Sequence, residues 1–346
     1  MARWRTWRVA MADALYGPEG FYHRAEGGPG HHFRTSSSAS LHFARAVVRL
    51  AARVDESLGR PDRFDLVEVA AARGALLSAV AHVVHAEAPG LAPRLRLTGI
   101  ELAARPDGLP LEIGWSAEIP PLTGLLLANE WLDNVPLDVV EQTDDGLRLV
   151  EVSDDGEERL GSPVNAADQA WVEMWWPGLE DEDRAEVGAP RDEAWTDAVR
   201  RLESGVAVTA DYAHLLEERA AGLHAGGTLS GYRDGRQVLA VPDGACDLTA
   251  HVALDAVAAA GTAAGATSSL LTDQRTVLRG LGVSAARPDQ ALSTSDPMAY
   301  LRSLENSGQE AELIARGGLG DFGWLLQARG VEADLLDLAS ADNTLR

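Results

Sequence analysis

Glu130 and Asp133 lie three residues apart, directly after the continuous apolar run Gly124-Leu125-Leu126-Leu127-Ala128. Such a run is expected of a strand buried on both faces of a parallel sheet, and ligands of these sheets bind at the carboxyl ends of the strands. Two carboxylates at that place suit a guanidinium: they pair with its fork of donors, orient one nitrogen and accept a released proton. The plainer alternative is that Asp133 caps the next helix while Glu130 pairs with an arginine. A second buried run, Gly205 to Ala210, delivers Asp211-Tyr212 in the same way. His251 either completes this pocket or is a hydrogen-bonded structural histidine. His23, His31 and His32 sit in a Gly-rich stretch that fits an exposed loop better than a metal site, so no metal is expected. Trp171, Trp175 and Trp176 fit the packing of an insertion better than an aromatic wall for a cation.

These residues need a scaffold, and Phe64 to Leu77 supplies its centre. A strand from Phe64 to Val69 is followed by the small-residue turn Ala70-Ala71-Ala72-Arg73-Gly74 and by an apolar-periodic helix from Ala75 to about His85. The start of that helix offers unpaired N–H groups and a positive dipole end to a ligand. Nucleotide-binding turns of this kind favour glycine, because backbone and ligand approach closely and some positions need φ > 0. Alanine at such a position costs about 1–2 kcal/mol if the backbone is left-handed and little if φ is negative. A second strand, Leu95 to Leu102, ends in Glu101 roughly thirty residues on, where an acid beside the first turn accepts hydrogen bonds from ribose hydroxyls.

Elsewhere the patterns predict a helix from about Ala39 to Ser57, a short strand within Leu111 to Trp115, and a hairpin of Val139-Val140 with Leu147 to Val152. Asn165 to Glu203 is expected to be helical, with a charged linker from Glu180 to Arg184. Thr228 to Val241 is expected to be extended and Leu248 to Ala260 helical. Helices over Asp273 to Gly280 and Asp296 to Ile314, a last strand from Phe322 to Gln327 and an acidic tail complete the chain.

The 346 residues carry a formal charge of −23, which argues against a nucleic-acid partner and for a basic protein, peptide or small molecule. All basic residues counted with Lys are Arg; the absence of Lys excludes a P-loop lysine, a Schiff-base lysine and pyridoxal phosphate chemistry. Cys246 is the single cysteine, so no internal disulfide is expected. No apolar run reaches membrane-spanning length and no signal sequence is read, so a cytoplasmic location without a membrane partner is expected.

Six segments, in order, resemble the MidA-type family of class I methyltransferases, which includes the mitochondrial complex I assembly factor with arginine methyltransferase activity. They are Leu15 to Tyr22; Phe33-Arg34-Thr35-Ser36; Glu68 with Arg73-Gly74; Asn129-Glu130-Trp131-Leu132-Asp133-Asn134-Val135-Pro136; Asp211-Tyr212; and Asp247-Leu248-Thr249-Ala250-His251-Val252. The resemblance implies an α/β fold with a seven-stranded Rossmann-like sheet, an N-terminal helical cover over residues 1–58, a core of 59–136 and 205–330, and an inserted hairpin and helical subdomain at 137–204, before the tail at 331–346. It implies S-adenosylmethionine as cofactor, with Glu68, Ala70, Ala72 and Gly74 at its methionine part, Glu101 at its ribose, and Thr35 and Ser36 on the cover. Asn129, Glu130 and Asp133 would line the acceptor side, with Asp211 and His251 completing it, for methyl transfer to an arginine of a partner protein. Two positions depart from the pattern: the family's glycines are Ala70 and Ala72, and its Asp before Phe33 is His32. The alternative is therefore a methyltransferase fold that has lost methyl transfer and serves as a binding or assembly factor, or one reused in small-molecule biosynthesis. The hairpin between Leu137 and Leu160 is a candidate homodimer contact.

Overall fold

A computed structural model describes residues 3–23 and 41–332. These residues fall into two compact units, one drawn from 3–23, 130–200 and 211–265, the other from 41–129, 201–210 and 266–332. Thr35, Ser36, His31 and His32 lie outside the described residues.

The second unit contains a seven-stranded sheet. Its strands are β1 (Phe64–Val69), β2 (Leu95–Ile100), β3 (Ile113–Ser116), β4 (Leu122–Asn129), β5 (Leu202–Asp211), β6 (Ser268–Asp273) and β7 (Gly323–Arg329), in the order β6-β7-β5-β4-β1-β2-β3. Strands β1 to β5 pair in parallel, and β6 is antiparallel to β7. The hydroxyl of Ser204, near the start of β5, donates to the carbonyl of Gly330, just past β7, so β7 runs against β5. This is the Rossmann-like sheet expected from the sequence. All six residues of β1 are buried, and nearly all of β4, because a parallel sheet is covered on both faces. Gly124 and Gly205 have φ of 143° and 132°, and a Cβ on Gly205 would collide with the Gly124 carbonyl, so glycine allows β4 and β5 to approach there.

Helix α1 (Leu41–Ser57) packs on α2 (Ala75–Glu87), and Phe43 meets Trp324 of β7 edge-on at 6.2 Å between ring centres. The strand order reverses between β1 and β4, the switch point at which such sheets bind ligands. Ser268–Asp273, where the sequence indicated only the apolar pair Leu270-Leu271, is a full edge strand.

The first unit holds a five-stranded antiparallel sheet built on the expected hairpin, Asp138–Thr143 with Gly146–Val152. Helix Trp7–Tyr16 packs on this hairpin through Trp7, Met11, Leu15, Val139, Val150 and Val152. Two expectations fail here. The charged stretch ends in a strand, Arg184–Val187, paired with Asp138 to Glu141, because Ala185 and Val187 are buried on the sheet and Glu186 between them is buried as well. Residues 248–260 are not one helix: strand Asp247–Thr249 pairs with Ser230–Arg233, Val252–Ala253 is a short strand, and the helix runs from Leu254 to Ala263. The β-branched Thr249 and Val252 favour the extended course. Trp171, Trp175 and Trp176 pack with Val140, Val172, Ala185 and Val187. No helix among the described residues is long and apolar enough to cross a membrane.

Candidate functional site

The turn after β1 has the shape that a glycine-rich turn would take. Ala70, Ala72 and Gly74 have φ of 55°, 47° and 69°. Gly74 immediately precedes α2 and caps it without a side chain, and a Cβ there would press into Leu109 at 2.6 Å. The turn is held from beneath: the Ala71 N–H donates to the Ile100 carbonyl (3.1 Å) and the Gly74 N–H to the Ala71 carbonyl (2.7 Å). Gly99 on β2 leaves room for the Trp115 ring, which lies where its Cβ would be.

Glu101 joins this turn directly. Its carboxylate accepts the N–H of Ala72 (3.0 Å), of Leu102 (2.7 Å) and of Ala103 (3.4 Å), so the acid at the end of β2 stands beside the first turn as its spacing predicted. Glu68 is 4% exposed. It accepts the Leu77 N–H, its Oε2 has no hydrogen-bond partner among the described residues, and burial, reinforced by Glu101, pushes its carboxyl up to about 8. Asn129 ends β4 and is buried.

The other unit gathers the acceptor-side candidates. Glu130, the residue after β4, has φ 54° and is half-buried. Its charge, after burial, keeps the Tyr212 phenol above its ordinary range. Asp133 does not cap a helix; it sits inside the 3-10 turn Leu132–Asn134, buried, and its Oδ1 has no partner among the described residues. Burial lifts its carboxyl to about 6, against the pull of the Arg191 guanidinium. Asp211, fully buried, accepts the N–H groups of Trp131 (3.1 Å) and Asp133 (3.3 Å), so its carboxylate shapes the turn that carries the other two acids.

Asp247 accepts from the Tyr22 hydroxyl (3.2 Å) and from Asn134 Nδ2 (2.9 Å), and burial, then the charge of Asp133, lifts it to about 7. His251 lies on the link between two short strands rather than on a helix. Its ring stacks on Tyr212 at 5.8 Å, its backbone N–H donates to Thr228 Oγ1, and burial, then His224 and Arg191, lowers its imidazole to about 4. No cluster able to hold a metal occurs among the described residues.

The family described as "Putative S-adenosyl-L-methionine-dependent methyltransferase" matches residues 46–272. The chain belongs to this family. Its cofactor is S-adenosylmethionine. Among solved structures, the chain is similar to a protein from Burkholderia thailandensis bound to S-adenosylhomocysteine (TM-score 0.80, 23% identity, 96% of this chain and 90% of that one). It is also similar to a native crystal structure from the same organism (TM-score 0.77, 24% identity, the same coverage of 96% and 90%). These likenesses show the fold. No curated protein matches the chain.

The residues of this methyltransferase fit the cofactor. The turn from Ala70 to Gly74 keeps its left-handed steps with alanine in place of glycine, and among the described residues α2 begins without a side-chain cap and the buried Glu68 carries an oxygen without a hydrogen-bond partner. The methyl groups therefore act on stability rather than on the backbone course. Ala70→Gly and Ala72→Gly together are expected to stabilise the chain by about 1–2 kcal/mol, the left-handed strain relieved less the entropy returned to the unfolded chain. Urea unfolding measures this, and a loss of stability would contradict the left-handed geometry.

The buried carboxyls make stability depend on pH. Native Glu68 and Asp247 keep their protons to about 8 and about 7, whereas unfolded carboxyls lose them near 4.5 and 3.8, so the native state holds more protons and stability falls as pH rises through that range. The depressed His214 and His251 act oppositely, but only below their unfolded value of 6.5. Between pH 6.5 and 8 the folded chain is therefore expected to lose on the order of 2 kcal/mol, with Glu68→Gln flattening the slope. Stability constant or rising across that window would contradict these assignments.

Sequence reasoning missed three contributors to the first unit's cluster: Arg191, His214 and His224. A cation in the first turn of a helix, as Arg191 is in Ala189–Arg201, opposes the helix dipole and is the one signal that marks it. His214 and His224 gave none; their rings lie 4.8 Å apart, and His214 is 6.4 Å from His251.

Proposed function

We propose that this methyltransferase acts on an arginine side chain of a partner protein, with Glu130 and Asp133 receiving the guanidinium. The observation that carries this reading is the backbone of Glu130. A non-glycine residue held at φ 54° directly after a parallel strand stores strain of about 1–3 kcal/mol, and such strain persists where a side chain must be aimed. Its carboxylate is half-buried beside Tyr212, open enough to receive a cation and shielded enough to pair with it. Asp133 supplies a second carboxylate, whose Oδ1 has no hydrogen-bond partner among the described residues. The net charge of −23 favours a basic partner.

Held by the turn from Ala70 to Gly74 with Glu68 and Glu101, S-adenosylmethionine would supply an electrophilic methyl group to the acceptor nitrogen. This chain's residues do the rest. Glu130 orients the guanidinium by paired hydrogen bonds, Asp133 offers its free oxygen to the proton the nitrogen sheds, and Asp211 fixes the turn bearing both. Positioning carries most of the rate, so neither carboxylate needs to be a strong base. The test is transfer from methyl-labelled S-adenosylmethionine to a pool of arginine-containing peptides, read by mass spectrometry. Methylarginine is the expected product. Its absence from protein that binds S-adenosylhomocysteine would overturn the arginine reading.

A further inference from the structure

We propose that Arg191 is a positioning residue for the acceptor cluster, its guanidinium pinning the Asp133 turn and the His251 link into one arrangement. The inference rests on the acceptor site proposed above. Arg191 is 2% exposed, and its guanidinium forks between two backbone carbonyls: Nη1 donates to that of His251 (2.7 Å) and Nη2 to that of Asp133 (2.8 Å). The two carbonyls belong to segments far apart in sequence. One carries the acid proposed to accept a proton; the other carries the ring that stacks on Tyr212.

Nothing about the helix itself favours this residue. A buried cation is costly to desolvate, and at the first turn it also opposes the dipole. Its Nε has no partner among the described residues, so hydrogen bonding within the fold does not account for the whole side chain. The carboxylates of Asp133, Glu186, Asp211 and Asp192 attract it, and its own charge in turn holds Asp133 closer to the ionised form. A planar fork is the chemistry the place requires. Lysine brings the same charge as a single ammonium and does not match two carbonyls with a rigid pair of donors.

A cation with this geometry ties the charge state of Asp133 to the course of its backbone. The groups that bear on Asp133 are Arg191, Asp211 and Asp247, with the phenols of Tyr22, Tyr212 and Tyr232. Arg191 is the cation among them. Without it, Asp133 would keep its proton to higher pH and its turn would lose one tether to the His251 link.

Arg191→Lys and Arg191→Met, made in the full chain, test this in two arms. The first is amide hydrogen exchange followed over peptides covering 130–136 and 247–253, with calorimetric titration of S-adenosylhomocysteine on the same samples. Exchange in both peptides is expected to rise about tenfold in the lysine variant, with S-adenosylhomocysteine affinity within about twofold of the parent. The second arm is methyl transfer to the arginine-peptide pool. There kcat is expected to fall about 100-fold with little change in peptide KM, and in Arg191→Met, which removes the charge, the acidic limb of the kcat profile to move up in pH. In Arg191→Met, added guanidinium ion should restore part of the lost rate and ammonium ion should not. Unchanged exchange at both peptides in the lysine variant overturns the proposal, as does parent-level kcat with an unmoved profile. If the parent itself makes no methylarginine, the arginine-acceptor reading fails while the exchange arm still decides whether Arg191 pins the two segments. Should the methionine variant not fold, the lysine variant carries both arms.

Discussion

Glu130→Gln is expected to lower methyl turnover on an arginine-containing peptide about 100-fold while leaving S-adenosylhomocysteine affinity within about twofold. Glutamine keeps the length of the side chain and the backbone strain at φ 54°, so the geometry of the turn survives. What is lost is the charge proposed to pair with a guanidinium and to fix which nitrogen is presented, a hydrogen bond roughly twice as strong with an ionised acceptor as with a neutral one. Initial rates with methyl-labelled cofactor measure the effect. Glu130→Gly is the informative companion: it relieves the left-handed strain and removes the carboxylate, so it should gain stability and lose turnover together. Unchanged turnover in Glu130→Gln would remove Glu130 from the acceptor role.

Glu101→Ala is expected to weaken S-adenosylhomocysteine binding about 10–100-fold, through the loss of charge-assisted hydrogen bonds worth about 1.5–3 kcal/mol. Two parts are proposed for Glu101, and the structure shows the first. It already accepts the N–H groups of Ala72, Leu102 and Ala103, so it holds the cofactor turn against the end of β2. An acid at this position in a doubly wound sheet also accepts the ribose hydroxyls. Removing it should therefore loosen the turn and unpair the ribose at once, whereas Glu101→Gln, which retains an acceptor oxygen, should weaken binding by a smaller factor. Calorimetric titration distinguishes the two variants. An affinity in Glu101→Ala within about threefold of the parent would place the ribose elsewhere.

The scaffold was legible in the sequence because its signals are strong ones. A six-residue, mostly apolar strand, a turn of small residues and a periodic helix specify β1, its turn and α2, and the uninterrupted run Gly124 to Ala128 specifies a doubly covered strand. The spacing of Glu101 from that turn became a direct hydrogen bond to Ala72. The question the alanines posed was also legible, but its answer was not: composition cannot give the sign of φ, and the structure sets Ala70 and Ala72 on the positive side.

The proposed acceptor cluster was harder to read. Arg184–Val187 carries a buried Glu186 in place of an apolar residue, which hid a strand inside a charged segment. Residues 247–253 have a run of small and apolar residues compatible with either period, and pairing with Ser230–Arg233 decided for strand. Arg191 is tied by hydrogen bonds to two segments distant in sequence, His214 and His224 left no pattern to read, and Asp211, a candidate for the acceptor side, accepts the N–H groups of Trp131 and Asp133.

The central claim is that the turn from Ala70 to Gly74, alanines included, holds S-adenosylmethionine. Calorimetric titration of the full chain with S-adenosylmethionine and S-adenosylhomocysteine tests it most directly. The left-handed course already taken by Ala70 and Ala72 predicts saturable one-to-one binding of both, sharpened and not created by Ala70→Gly with Ala72→Gly. No heat at millimolar ligand from the parent chain, with binding appearing only in the double glycine variant, would contradict it.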